Sequence, residues 1–176
     1  MLLLNNMPKI ILYNAISVDG FIAKPDGDSE WVSEKDGEIF EQMCKDTECI
    51  IIGRRTFDQY YEEIYPMEGI LNVVLTHEKG MVIHHTNVKP INSVQDVMTY
   101  LDTHRVPTAI LVGGGGANES FLMADVIDEI IVTVHPIILG CGIKLFGNAQ
   151  VMHGLNLIES KELGDGLVQM RYTVNK

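Results

Sequence analysis

The sequence predicts a mixed α/β fold in one domain, and three observations predict it. Over the first two thirds, apolar runs of strand length alternate with segments whose apolar residues recur at helical spacing, the pattern of crossover connections between parallel strands. Over the last third, strand-like runs follow one another across glycine-rich turns with no helix between them, so antiparallel strands should close one edge. The length of 176 residues suits a single core. The expected architecture is a mostly parallel mixed sheet with helices on both faces and an antiparallel C-terminal edge, spanning residues 1–176 with a flexible start over 1–7.

The elements follow in order. Lys9–Ser17 is apolar and β-branched and reads as a central buried strand. Asp19–Ser29 reads as a long polar loop of the kind kept as a lid or binding loop. Ser33 opens a helix through Cys44, with Ile39, Phe40 and Met43 on one stripe. Glu48–Gly53 is a short buried strand that turns into a helix over Thr56–Ile64. Ile70–His77 is a further strand, followed by extended pieces around Met81–His85 and Val88–Asn92. Ser93 caps a helix whose Asp96 completes a capping box. Pro107–Gly113 is a strand ending in four glycines, and a helix follows over Ala117–Ala124. Asp128–Leu139, Leu155–Leu163 and Gly166–Asn175 are the final strands, the last two joined by the Asp165-Gly166 turn.

Charge narrows the partners. Thirteen basic and 24 acidic residues give a net charge of −11, which argues against nucleic acid and anionic membranes. Three cysteines, Cys44, Cys49 and Cys141, make no closed disulfide set, and the N-terminus has neither the leading charges nor the apolar core of a signal peptide. A cytoplasmic protein is expected. His84 and His85 are adjacent and no zinc spacing occurs, so no metal is expected.

Two strand-to-helix turns carry the chemistry. Gly53-Arg54-Arg55-Thr56 places two guanidiniums and a hydroxyl at a helix start, where backbone N–H groups and the dipole favour anions. The structural alternative is a plain helix start with arginines paired to Glu62 or Glu63. Gly113, Gly114, Gly115 and Gly116, followed by Ala117 and Asn118, let a backbone approach a pyrophosphate, although the spacing is not that of a Rossmann fingerprint and no P-loop occurs. Together they point to one extended phosphorylated ligand along the strand ends. A dinucleotide is the natural candidate, and the paired arginines favour the 2′-phosphorylated form.

The ordered motifs SVDGFIA (17–23), D-x-x-x-F (36–40), GRRTF (53–57), NVVLTH (72–77), VGGGGANESFL (112–122) and DEIIVTVHPIILGCGIKLF (128–146) resemble the dihydrofolate reductase-like superfamily. The last two look most like the stand-alone RibD C-terminal type, the reductase domain of riboflavin-biosynthesis deaminase/reductases. The resemblance implies a three-layer fold, NADPH as cofactor and a homodimer, to which the apolar segment Ile137–Phe146 also points. It implies that Gly53, Arg54, Arg55 and Thr56 hold the NADPH phosphates. Leu75, Thr76 and His77 then pack the adenosine and its 2′-phosphate, Gly113 to Asn118 lie under the pyrophosphate, and Ala15 and Ile22 line the nicotinamide. It makes Asp36 the catalytic, substrate-orienting carboxylate, Phe40 a ring-packing residue and Thr133 a substrate-side hydroxyl. The deaminase half, with its H-x-E and P-C-x-x-C signatures, is absent, as is a D-D-P run after Thr56.

Two residues carry competing readings. Ser33-Glu34-Lys35-Asp36 also fits a capping box, in which Asp36 reaches back to the Ser33 N–H. Trp31, the single tryptophan, either walls a ring-binding pocket or anchors the long loop on the core. The expected function is NADPH-dependent reduction of a small pteridine- or pyrimidine-like heterocycle. A true dihydrofolate reductase and a non-catalytic NADPH sensor are the rivals.

Overall fold

The Lys9–Ser17 run forms a nine-residue strand, β1, at the centre of an eight-stranded sheet in a computed structural model that describes residues 7–78, 80, 81 and 84–176. The expected flexible start falls almost wholly outside the described residues. The elements are β1 (Lys9–Ser17), β2 (Phe21–Ala23), α1 (Glu34–Thr47), β3 (Cys49–Gly53), α2 (Arg54–Gln59), β4 (Leu71–Leu75) and β5 (Val88–Ile91). They continue with α3 (Val94–Thr103), β6 (Thr108–Gly113), α4 (Gly115–Met123), β7 (Glu129–His135), β8 (Ile143–Lys144), β9 (Leu155–Gly164) and β10 (Leu167–Val174). The sheet order is β5-β4-β3-β6-β1-β7-β10-β9. Every pair from β5 to β7 is parallel, and β10 pairs antiparallel with both β7 and β9, as the helix-free last third required.

Side chains alternate between two cores. Ile10, Leu12 and Ile51 face one side, with Val97, Met98 and Leu101 of α3 and Phe121 and Leu122 of α4. Ile11, Tyr13, Ile50 and Ile52 face the other, with Cys44 of α1 and Phe57 of α2. Two helices thus cover each face, and burial pushes the Cys44 and Cys49 thiols up to about 12, which keeps them as inert core groups.

Several local expectations are corrected. The second helix begins at Arg54 and ends at Gln59, well short of Ile64, because Tyr60 caps it and the chain turns through Glu62 at φ 64°. The glycine-turn helix starts at Gly115 rather than Ala117, and β7 ends at His135 rather than Leu139. Met81, His84 and His85 lie in no strand, and residues 82 and 83 fall outside the described set. The long polar loop contains β2, which pairs with β8. It is further fastened by Tyr60 Oη to Ser29 and to the Gly27 carbonyl, and by backbone N–H groups of Leu139 and Gly140 that donate to Asp19. The loop is a fixed wall rather than a free flap. Ile143 to Phe146 of the apolar segment expected at a dimer contact are half-buried apart from Lys144, and Leu145 and Phe146 pack on the chain's own core.

Strand β6 differs from its neighbours in where it stops. It pairs with β1 over Lys9–Leu12 only, whereas β1 and β7 remain paired from Ile11 to Ser17. Gly113 ends β6 at φ 100°, and the Gly113–Gly114 peptide is cis. The N–H of Gly114 donates to Thr56 Oγ1 at 3.1 Å, which ties the β6 turn to α2. A Cβ on Gly114 would sit 2.8 Å from that oxygen, and one on Gly115 would sit 2.5 Å from the Lys144 carbonyl. A Cβ on Gly116 would meet nothing. At the opposite end of the sheet, Glu129 is buried against Lys9 and Arg171; Arg171 Nε donates to it at 2.8 Å. Burial works to raise this carboxyl, but the hydrogen bonds and charges of Lys9 and Arg171 outweigh it and hold it below its ordinary 4.5.

Two predictions follow from this packing. In urea unfolding, Gly114→Ala and Gly115→Ala should each cost about 1–3 kcal/mol, while Gly116→Ala stays within about 1 kcal/mol of wild type. Because the Glu129 carboxyl is depressed on folding, its stabilisation is present above about pH 4.5 and lost as the pH falls through the folded value. Glu129→Gln should therefore cost about 1–3 kcal/mol near neutrality and flatten the acid limb of a stability-against-pH curve.

Candidate active site

The early stop of β6 leaves the C-terminal half of β1 without a neighbour on one side. The helices after β3 and β1 leave on one face, and α4, after β6, leaves on the other. This is a switch point of the kind at which open α/β sheets bind ligands outside the carboxyl ends of their strands. A cleft of about 320 Å³ opens there. Ala15, Ile22, Asp36, Phe40, Arg55, Thr56 and Gly114 all line it, so residues expected for the cofactor and for the substrate meet in one cavity.

The floor holds a polar cluster. Tyr13 Oη donates to Asp36 Oδ1 at 2.5 Å and lies 3.4 Å from Thr133 Oγ1. Gln169 Nε2 donates to Thr133 Oγ1 at 3.2 Å and to Tyr13 Oη at 3.4 Å. The four side chains come from β1, α1, β7 and β10, and Tyr13, Asp36 and Thr133 are buried. Burial first, and the Asp36 charge second, raise the Tyr13 phenol above its ordinary 10.0, so it stays protonated and donates. Phe40 packs against the Tyr13 ring at 5.6 Å between centroids.

Only half of the expected capping box forms. Ser33 Oγ accepts from the Asp36 N–H at 3.2 Å, but the Asp36 carboxylate turns into the cleft instead of back to the Ser33 N–H. That N–H donates to His135 Nε2 at 3.1 Å, which leaves the ring proton on Nδ1, 3.1 Å from the Thr133 carbonyl. Trp31 sits edge-on to His135 at 5.2 Å and is not among the cleft residues, so it anchors the loop. Its Nε1 is buried without a partner among the described residues.

The residues expected on the phosphate side lie in a row along the strand ends. Gly53 pairs with Leu75, so the ends of β3 and β4 are level. Thr76 is buried and accepts from the Glu78 N–H, and His77 is exposed beside it. Arg54 is bound to Asp58 at 2.6 Å and Glu78 at 3.2 Å, not to Glu62 or Glu63. Arg55 is exposed at the cleft and makes no ion pair among the described residues. The nine-residue helix α4 starts behind Gly114 with no side-chain cap, and Gly116 is exposed. Asn118 is fully buried and donates to Asn14 Oδ1 and to the Leu145 carbonyl, while its own Oδ1 has no partner among the described residues. Gly53 lies against Ala117, and Gly113 against Asn14 and Asn118; Gly53, Gly113, Ala117 and Asn118 build the turn, whereas Asn14 also lines the cleft.

Tyr13, Gln169 and His135 are the residues that sequence reasoning missed. Tyr13 reads as core within an apolar strand; an aromatic hydroxyl two residues before Ala15 was the available signal, because a buried phenol needs a partner.

Among the described residues no group of three or more His, Cys, Asp or Glu is placed to hold a metal ion, and no helix is long and apolar enough to cross a membrane. Residues 8–169 match the RibD C-terminal domain family. The uncharacterized protein YwjB of Bacillus subtilis is 31% identical over 170 residues, covering 93% of this chain and 97% of its own. A dihydrofolate reductase of Aedes albopictus is 25% identical over 137 residues, 72% of this chain and 73% of its own. Among solved structures, a protein from Shewanella sp. PV-4 described as one of riboflavin biosynthesis superposes with a TM-score of 0.81 at 25% identity, covering 96% of this chain and 99% of its own. The Thermotoga maritima deaminase/5-amino-6-(5-phosphoribosylamino)uracil reductase superposes at 0.77 and 18% identity over 96% of this chain and 57% of its own, a likeness of fold. The match over nearly the whole chain, the mostly parallel sheet and the cleft at the end of β6 agree: this chain belongs to the RibD C-terminal domain family and has the dihydrofolate reductase-like fold.

Proposed function

We propose that the chain is a cytoplasmic NADPH-dependent reductase of a small heterocyclic, pteridine- or pyrimidine-like substrate. The observation that carries this reading is the single cleft in which an uncompensated arginine and a glycine turn meet a buried carboxylate. The residues fit the cofactor: the first turn of α4 has free N–H groups and no side-chain cap, and Gly116 leaves its approach open. Arg55 adds a forked donor for a phosphate. The names of the relatives agree, since the Thermotoga maritima and Aedes albopictus proteins are reductases by description.

In this reading Gly114, Gly115, Gly116 and Arg55 hold the cofactor phosphates, with Leu75, Thr76 and His77 flanking them at the end of β4. Arg54 shapes the rim. Ala15 and Ile22 flank the position of the nicotinamide, which supplies a hydride when bound. The fastened wall of residues 21–30 excludes water from the acceptor, and Phe40 packs its ring. Asp36 orients the acceptor by accepting a hydrogen bond from a ring N–H; Tyr13 holds the carboxylate in place, and Thr133 and Gln169 fix the phenol.

Calorimetry with NADPH and NADH tests the reading. NADPH should bind more tightly, and Arg55→Ala should weaken it roughly 10- to 100-fold, as expected for one charge-assisted phosphate contact. Arg54→Ala should cost less, because Asp58 and Glu78 already engage that guanidinium. Equal affinities for the two nucleotides, together with no loss in the Arg54→Ala/Arg55→Ala double variant, would remove the cofactor assignment.

We also infer a homodimer formed along β9. This ten-residue strand ends the sheet with nine of its residues exposed, including Leu155, Leu157 and Ile158. Its outer backbone groups have no partner strand among the described residues. A two-fold axis at Ser160 would set Glu159 against Lys161 of a second copy. Sedimentation at micromolar concentration should give about twice the 19.6 kDa monomer, and Leu157→Lys/Ile158→Lys should give monomer. A wild-type monomer would refute the dimer.

A further inference from the structure

The hydrogen bond between Tyr13 and Asp36 has a consequence for what the cleft accepts. An ionised carboxylate with both oxygens open takes a forked pair of N–H donors, as guanidines and amidines provide. Here Oδ1 already takes the Tyr13 proton at 2.5 Å. Oδ2 has no donor among the described residues, and Asp36, although buried, lines the cleft. Oδ2 is therefore the free oxygen, while Oδ1 keeps one lone pair and is weakened as an acceptor by the phenol.

Tyr13 is not free to leave. It is 3% exposed, its backbone lies in β1 paired with β7, and its ring packs on Phe40. Gln169 donates to its oxygen, and Thr133 stands 3.4 Å away. Rotating the phenol out would strand the buried Asp36 Oδ1 and take the hydroxyl from its Thr133 and Gln169 neighbours.

We propose that Tyr13 is a specificity-determining residue. By taking one lone pair of Asp36 Oδ1, it weakens that oxygen as an acceptor, so the cleft prefers rings that present a single N–H or O–H donor to Oδ2, such as a lactam edge, over amidine-type edges that draw on both oxygens. The proposal rests on the reading that Asp36 faces the substrate. Tyr13 acts through Asp36 and is thus a positioning residue for the carboxylate.

Two small probes test it without turnover: 4(3H)-pyrimidinone, with one ring N–H, and 2,4-diaminopyrimidine, with an amidine edge. By calorimetry on the wild-type protein, the pyrimidinone should bind at least roughly tenfold more tightly than the diaminopyrimidine. Tyr13→Phe should reverse that order through a tenfold or greater gain for the diaminopyrimidine, and Tyr13→Phe/Asp36→Asn should abolish the gain. The proposal is overturned by the opposite order in wild type, by a folded Tyr13→Phe protein with no gain, or by a gain that survives loss of the carboxylate. It is also overturned if neither probe binds any of the proteins. Should Tyr13→Phe fail to fold, the wild-type ranking alone decides. NADPH titration of the same samples separates the two readings. Probes that rank as expected without NADPH binding would leave Tyr13 in place and remove the reductase, whereas NADPH binding with a reversed ranking would do the opposite.

Discussion

The parallel ladder between β1 and β6 lasts four residues, whereas the ladder between β1 and β7 lasts seven, and the cleft occupies the difference. A β6 that ran on would cover Asn14 and Ala15 and leave no cavity. What stops it is a local backbone requirement: Gly113 sits at φ 100°, a conformation that costs a side-chain-bearing residue energy. The close approaches that follow fix the next segment. Gly114 meets Thr56 and Gly115 meets the Lys144 carbonyl, so the start of α4 is pinned between α2 and β8. One strand end thus sets the cavity, its phosphate-side rim and the direction of the helix beneath it.

The polar floor depends on the same geometry. Tyr13, Asp36 and Thr133 are buried in a fold whose sheet interior is mostly Ile, Leu and Val. Such a cluster is tolerated only if its members satisfy one another. They do so across four elements: β1 supplies a donor, α1 an acceptor, and β7 and β10 a hydroxyl and an amide that fix the phenol. The antiparallel edge is therefore part of the site, since β10 delivers Gln169. His135 performs a related service one strand-end away, accepting the Ser33 N–H that the expected capping box would have used and so freeing Asp36 to turn inward.

The parts of the fold legible in the sequence were those specified by local pattern. β1, β3, β6 and β7 read as strands because burial on both faces demands unbroken apolar runs, and α1 and α3 because Ser33 and Ser93 cap them. β2 and β8 were illegible because three residues and two residues become strands only when a distant partner arrives. The second helix was overextended for the same reason: Tyr60 and Tyr65 are claimed by the Gly27–Ser29 wall and by the core, contacts that no helical periodicity records. In the site, Asp36 and Arg55 were visible as charges in helix starts. Tyr13 and Gln169 were not, because a phenol in an apolar strand and an amide in a half-exposed one look ordinary until their hydroxyl and amide are seen to share a partner.

Under the proposed function, the distribution of charge explains how so acidic a chain would hold a phosphorylated ligand. Residues 19–68 carry most of the −11, and both cleft-side arginines lie within that stretch. Arg54 is neutralised by Asp58 and Glu78, so its charge is spent on fixing the turn. Arg55 has no such partner among the described residues and stands where the uncapped α4 start adds the positive end of a helix dipole. The general negative field discourages polyanions, which must touch many points at once. A ligand with one or two phosphates needs only this single notch, and screening over about 8–10 Å confines the competing surface charge to its own neighbourhood. Under that proposal, specificity for a small anion would arise from the contrast between one guanidinium without an ion pair among the described residues and an acidic surround, which rejects the large anions that a uniformly basic surface would also admit.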